Sequence, residues 1–338
     1  MNRFSWYEAK SVEDALKNAN TTLSEELYSP SNEAAFFKSG GIDVLDFLKE
    51  GLISPKTIVN VRDIPGMDKI EHEHNEGMTI GANVTLAEIE HHPDVAINFP
   101  ALQMAVAHAA TPQLRNMSTI AGNLAQRTRC WYFRSVDHQC FRKNGDRCFA
   151  RHSETGQNEG HAIINNGSCV SVHASSIATA LLALKASVVI QGGDMKKKVV
   201  SIEDFFVSPM QDISRENILG KKDLITEIKV PAPSANTKSF YIKQVARESY
   251  DWSLADVAVV AEMKGNTCVD ITIALGAAAP TPIRSYEAEK ILKGEQLNDM
   301  SITKAAEKAM EVARPLSKNG YKIPLFKSII VRALSELI

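Results

Sequence analysis

Ser118-Thr119-Ile120-Ala121-Gly122-Asn123-Leu124-Ala125 is a turn-like run, followed by Cys130, Cys140, Cys148 and Cys169 before an apolar run resumes at Ile177. Four of the five cysteines therefore fall in one polar, weakly periodic segment. A segment that cannot build its own apolar core can fold around metal, and thiolates suit both iron–sulfur clusters and zinc. The spacing, C-x9-C-x7-C-x20-C, lacks the tight C-x2-C pair with which zinc ribbons and fingers fix two corners of a tetrahedron. That lowers the zinc reading without excluding it. Four unrelated thiols behaving as small hydrophobes are the plain alternative.

Working outward, 338 residues suffice for two or three domains, and 44% apolar with 23% charged residues is ordinary for a soluble globular chain. A formal net charge of -2 argues against nucleic-acid or membrane-surface binding. The basic run Lys196-Lys197-Lys198 precedes Val199-Val200 and reads as a solvated strand or turn. The N-terminus lacks a basic region followed by an apolar core, and no run of about 18 apolar residues occurs. The chain thus carries no export signal or membrane span of its own. It is expected in the cytoplasm unless a partner subunit takes it to the periplasm.

Ser11, with an acid three residues on, starts a short helix through Leu16. The run from Glu33 to Ser39 reads as a buried strand ending at Gly40-Gly41, after which Ile42, Leu45, Phe47 and Leu48 resume helical spacing. Two glycines between strand and helix let backbone approach a ligand, and the helix amides can receive a phosphate. Alone, that signal is also what an ordinary turn gives. From Lys56 a second α/β unit is expected, with strands at Thr57 to Val61 and Met78 to Ala82. Helices follow from Thr85 and Pro100. His72, His74, His91 and His92 read as surface histidines.

Beyond the cysteines, Ile177 to Leu184 reads as a buried helix, Ser187 to Gln191 and Leu224 to Val230 as strands, and Pro231-Ala232-Pro233 as a linker. Three strands (239–246, 255–263, 268–275) and three helices (285–292, 302–313, 324–338) then suggest an α+β domain. The division expected is 1–55, 56–230 with an inserted loop at about 126–172, and 231–338.

Gly40-Gly41-Ile42-Asp43, the run Arg115 to Leu124, and the run Leu275 to Arg284 together resemble the successive signatures of the flavin-binding subunits of molybdenum hydroxylases. That family includes xanthine dehydrogenase, carbon monoxide dehydrogenase, aldehyde oxidoreductases and 4-hydroxybenzoyl-CoA reductase. The cysteine segment, with Gln126-Arg127-Thr128-Arg129-Cys130 and Tyr132-Phe133, is most similar to the bacterial aldehyde oxidoreductase flavin subunit that bears a [4Fe-4S] cluster. The 4-hydroxybenzoyl-CoA reductase subunit carries a comparable insertion.

The resemblance implies an α+β, vanillyl-alcohol-oxidase-type FAD fold of two subdomains plus a C-terminal domain of the carbon monoxide dehydrogenase flavoprotein type. It is not a Rossmann fold, and no G-x-G-x-x-G occurs. It assigns Phe37, Lys38, Ser39, Gly40, Gly41, Ile42, Asp43 and Val44 to the first FAD loop and Thr119, Gly122 and Asn123 to the second. Ala109 and Ile225 would approach the flavin ring, and Ser176 stands where an aspartate is common. Lys243 would bring a cation near the ring and raise its potential. Cys130, Cys140, Cys148 and Cys169 would hold the [4Fe-4S] cluster, with Cys268 a structural strand residue.

Three departures touch flavin contacts: Ala121 in place of the first glycine of Gly-Gly-Asn, Ile42 in place of threonine, and Ser176. The implied partners are a large molybdenum-cofactor subunit, a small [2Fe-2S] subunit and an external electron acceptor. Two other readings stay open: a stand-alone flavin oxidase, and a zinc-stabilised interaction subunit without flavin.

Overall fold

Runs of buried branched and aromatic residues pair into three separate sheets. The computed structural model describes residues 2–73, 75–151, 156–247 and 249–338. β1 (Ser5–Glu8), β2 (Ala35–Lys38) and β3 (Thr57–Asn60) form a parallel sheet in the order β1-β3-β2. β4 (Ile70–Glu73), β5 (Gly77–Gly81), β6 (Ser187–Gly192), β7 (Lys197–Ser201) and β8 (Asp223–Val230) form an antiparallel sheet ordered β4-β5-β8-β6-β7. The third, β9 (Thr237–Gln244), β10 (Ala255–Lys264), β11 (Thr267–Gly276) and β12 (Ile283–Arg284), is antiparallel in the order β12-β11-β10-β9.

Local signals explain most element ends. Ser11 accepts from Asp14 N and caps the helix Val12–Asn18, and Thr85 forms a capping box with Glu88 at the helix Leu86–His91. Gly41, at φ 81°, ends the turn after β2 and opens the helix Ile42–Lys49 without a side-chain cap. That left-handed conformation costs a residue with a Cβ roughly 1–2 kcal/mol. The helices Tyr286–Leu292 and Lys322–Ser335 turn their apolar faces, including Phe326 and Ile330, onto the third sheet, and Asp299–Met310, with Ile302 buried in the same core, packs against those two helices. Ser176–Ala183, buried at every position, packs against β10 and β11.

Three features depart from the sequence expectation. β3 pairs with β1 and β2, so a boundary at residue 55 cuts the first sheet, and the second begins only with β4. Parallel pairing is a tertiary fact that local pattern does not carry. The helix Leu23–Tyr28, opened by a Thr22 and Glu25 capping box, and the helix Pro93–Asn98 are additional. His72 is half-buried against Phe99, with its Nδ1 3.6 Å from Asp94 Oδ2. His91 is exposed and His92 half-buried, whereas His74 lies outside the described residues.

The lysine run enters β7, whose Lys197, Lys198 and Val199 are exposed. No helix among the described residues is long and apolar enough to cross a membrane.

The cysteine segment contributes to two cores at once. Phe133 and Cys140 join Phe36, Phe47 and Ile58 under the first sheet, with Phe133 edge-on to Phe47 at 5.9 Å. Ile163 and Ile164 join the core of the C-terminal domain, their amides donating to Ala278 O at 2.9 and 3.0 Å. The segment therefore ties the first sheet to the third.

Candidate functional site

Two cavities are lined in part by the cysteine segment. The larger, about 940 Å³, is walled by the whole Phe37–Val44 turn and by Ala109, Thr119, Gly122, Asn123 and Ser176. Its two loops are joined: Thr119 Oγ1 donates to Ser39 Oγ at 3.1 Å, and Ser39 Oγ donates to Asn83 Oδ1 at 2.7 Å. Thr119 also caps the short helix Ile120–Leu124 by accepting from Gly122 N at 3.3 Å. Ser175 Oγ donates to Asn123 Oδ1 at 2.5 Å while accepting from Ala178 N, which fixes the Asn123 amide.

Gly40 is required for close approach, because a Cβ there would stand 2.3 Å from Met117 O. The uncapped amides of the helix Ile42–Lys49 open beside this wall, a polarity suited to an anion. Lys38 Nζ donates to Asn60 Oδ1 at 3.2 Å and lies 5.0 Å from the Trp6 ring centroid, with burial pulling its pKa down. This wall offers glycine backbone, free amides, hydroxyls and one lysine, the donor set a pyrophosphate needs.

Asp43 faces away from that task. Its Oδ2 accepts from Arg127 N at 2.8 Å, and its Oδ1 lies 2.6 Å from Arg134 Nη2 and 3.0 Å from Arg129 Nη1. The first residues of the cysteine segment are thereby bolted to the turn that follows β2.

Two expected residues are off the wall. Ile225 is 4% exposed on β8, opposite Ile190 beside a register shift, and packs into the core of the second sheet. Lys243 Nζ donates 2.8 Å to His108 O, the residue before Ala109. Burial lowers its pKa, with Asp256 and Asp251 opposing. Leu219, Asp223, Arg127, Arg129, Arg134 and Trp252 line the cavity without having been expected there. The arginines carried a sequence signal, three in eight residues beside the cysteines, whereas Trp252 and Leu219 arrive from distant loops.

Cys130, Cys140, Cys148 and Cys169 all line the second, small cavity, together with Phe133, Arg142, His161 and Ser171. Segments up to 39 positions apart, the span from Cys130 to Cys169, thus bring four sulfurs to one place. Burial pushes the Cys130 thiol up to about 12 and raises Cys140 and Cys148, so thiolates here need a compensating cation. His161 Nε2 is 3.3 Å from Cys130 Sγ, and Arg142 Nε donates to Cys169 Sγ at 3.1 Å.

Among the described residues no three metal-binding groups form a single-ion site. A [4Fe-4S] cluster takes one thiolate on each iron, so its ligands surround the group and need not converge on a point. Four thiols on one small cavity are the donor type such clusters use. Cys268 is elsewhere, fully buried in β11 with its thiol raised to about 11 by burial.

Residues 2–233 match the FAD binding domain in molybdopterin dehydrogenase, and residues 240–337 match the CO dehydrogenase flavoprotein C-terminal domain. The chain is 29% identical over 326 residues to the aldehyde oxidoreductase FAD-binding subunit PaoB of Escherichia coli (strain K12), covering 95% of this chain and 96% of the relative. It is 25% identical over 337 residues to the carbon monoxide dehydrogenase medium chain of Hydrogenophaga pseudoflava, covering 98% and 96%.

The solved carbon monoxide dehydrogenase of that organism superposes with a TM-score of 0.74 at 25% identity, over 99% of this chain and 96% of the other. Quinoline 2-oxidoreductase from Pseudomonas putida 86 shares the fold, with a TM-score of 0.72 at 20% identity over 99% and 97%. With both domains matched in order along the chain, this protein belongs to the FAD-binding subunits of the molybdopterin dehydrogenases, components of oxidoreductase complexes.

Proposed function

We propose that the chain is the FAD- and [4Fe-4S]-carrying electron-transfer subunit of a molybdenum-containing aldehyde oxidoreductase. Its partners are a large molybdenum-cofactor subunit and a small [2Fe-2S] subunit, and its electrons go to an external acceptor. The observation that carries this reading is the convergence of Cys130, Cys140, Cys148 and Cys169 on one cavity whose loop is bolted through Asp43 to the larger one. The likeness to an aldehyde oxidoreductase FAD-binding subunit supports the choice of complex.

FAD, when bound, supplies a carrier able to accept electrons and pass them on. The chain's own residues hold and orient it. Gly40 and Gly41 allow backbone to approach the pyrophosphate, and the amides of Ile42 and Asp43 lie at the positive end of the following helix. Thr119, Gly122 and Asn123 form the second wall, and Ala109 and Ser176 line the same cavity, where Ala109 would pack against the ring. Ile42 and Ser176 each lack the threonine hydroxyl or carboxylate usual at their positions, so backbone amides and Thr119 carry more of the binding. Ile225 and Lys243 do not line this wall; Lys243 reaches its neighbourhood through the His108 carbonyl, next to Ala109, and Ile225 packs into the core.

Anaerobic purification from the native host, with a visible spectrum and metal analysis, tests the proposal. Copurification with a molybdenum subunit and a [2Fe-2S] subunit, plus flavin bands over a broad iron–sulfur absorbance, is the expected result. A monodisperse solitary chain with full oxidase activity would instead favour a stand-alone flavin oxidase. A colourless zinc protein would favour an interaction subunit.

A further inference from the structure

Three charged side chains sit in the interior between the two cavities, and neither flavin loop nor ligand set uses them. Arg127, Arg142 and Glu216 are 1%, 1% and 4% exposed. Arg142 donates through Nε to Cys169 Sγ at 3.1 Å, while its Nη1 lies 3.1 Å from Glu216 Oε1. The other carboxylate oxygen of Glu216 pairs with Arg127 Nε, and Arg127 Nη2 donates to Ser214 O at 3.0 Å. Arg142 lines the cysteine cavity and Arg127 the larger one, so the triad runs from one wall to the other.

Burying such groups is expensive, and a buried ion pair is often no more stabilising than packed apolar residues of the same volume. The arrangement also carries two cations against one anion, and its end in contact with sulfur is a cation. A thiolate sulfur that accepts a charge-assisted hydrogen bond from a fixed guanidinium is stabilised as an anion. Where an added electron raises the negative charge at that sulfur, the same guanidinium stabilises the reduced form more than the oxidised one. Hydrogen bonds to sulfur and local net charge are among the levers that set iron–sulfur potentials.

We propose that Arg142 is a positioning residue that holds the Cys169 sulfur as a cluster ligand and raises the cluster's reduction potential, with Glu216 as the counter-charge that moderates it and Arg127 as the clamp on Glu216. The inference rests on the iron–sulfur reading above. It makes a sign prediction that a purely structural triad does not. Removing the cation, Arg142→Gln, lowers the cluster's midpoint potential. Removing the anion, Glu216→Gln, leaves Arg142 uncompensated and raises it. Arg142→Lys keeps a charge at the sulfur and returns the potential toward the wild-type value.

The test is an electron paramagnetic resonance titration with dithionite on the full-length chain, with iron and FAD measured on each sample. Opposite shifts for Arg142→Gln and Glu216→Gln, with rescue in Arg142→Lys, are the expected outcome. Should Arg142→Gln fail to load iron, the Glu216→Gln and Arg142→Lys pair still decides the sign. Shifts in the same direction, or no shift in iron-loaded variants, would overturn the inference while leaving the cluster in place. A wild-type chain with FAD and no iron would overturn the iron–sulfur reading itself, and this inference with it.

Discussion

Gly40→Ala is the smallest change that separates the two walls of the larger cavity. The added methyl would stand 2.3 Å from Met117 O and 3.2 Å from Ser118 Cα, both backbone atoms that cannot swing aside. Met117 O is also held by Arg62 Nη1 at 2.8 Å, so moving it strains a second contact. Relief to an ordinary van der Waals distance therefore needs a shift of about 1 Å between the β2 turn and the run that begins at Ser118. Forcing a methyl into a closed site costs about 1–3 kcal/mol. If that strain falls on the flavin-bound geometry, FAD affinity drops about 5- to 140-fold, at about 1.4 kcal/mol per factor of ten.

Gly41 differs. Its Cβ would meet the flexible end of Lys38 at 2.5 Å, so the cost of Gly41→Val lies mainly in its φ of 81°. Equilibrium dialysis of FAD, with thermal unfolding to check the fold, measures the Gly40→Ala effect. Gly320→Ala, whose Cβ meets nothing within 4 Å, is the control. A folded Gly40→Ala chain that holds FAD like wild type would refute the assignment of this wall to the cofactor.

Asp43→Asn should loosen both cofactors together, because the carboxylate contacts Arg127 N, Arg129 and Arg134 at 2.6 to 3.0 Å, and hydrogen bonds to charged groups contribute about 1.5–3 kcal/mol. Parallel flavin and iron assays check this, and normal iron beside lost flavin would confine Asp43 to the flavin side. Lys322→Met should destabilise the junction of the cysteine segment with the C-terminal domain, because Lys322 Nζ donates to Ala277 O at 2.6 Å and His161 O at 3.0 Å in a fully buried setting. The variant leaves Ala277 O without its donor, whereas His161 O keeps the Asn319 Nδ2 donation at 3.1 Å. One such unsatisfied carbonyl costs about 1–3 kcal/mol, read as a lower urea midpoint, and an unchanged midpoint would contradict the role.

Much of the architecture was legible because local chemistry and tertiary structure agree. Ser11, Gly40-Gly41 and the Thr85 and Glu88 pair mark real element starts, and the three strands and three helices after Pro233 occur in the expected order. The Thr22 and Glu25 capping box carried the same kind of signal and went unused. What local pattern could not supply is pairing across distance. Thr57–Asn60 is a strand in either unit, and only its parallel register with β1 and β2 assigns it to the first.

The site divides in the same way. The glycine turn and the Thr119 to Asn123 run are contiguous motifs, and all of their expected residues line the cavity. Ile225 and Lys243 were isolated positions whose facing depends on strand register, and a register shift at Val189/Ile190 accompanies Ile225 packing into the core. The partnership of Asp43 with Arg129 and Arg134 spans about 90 residues, and no motif encodes it.

The most direct test of the account is iron and flavin content across five single variants. Cys130→Ser, Cys140→Ser, Cys148→Ser and Cys169→Ser each replace a soft thiolate on the small cavity by a poorer oxygen donor, whereas Cys268→Ser changes a thiol buried in β11. The account predicts iron loss in the first four, partial FAD loss through the Asp43 tie, and wild-type iron in Cys268→Ser. Full iron in any of the four, or equal loss in Cys268→Ser, would contradict it.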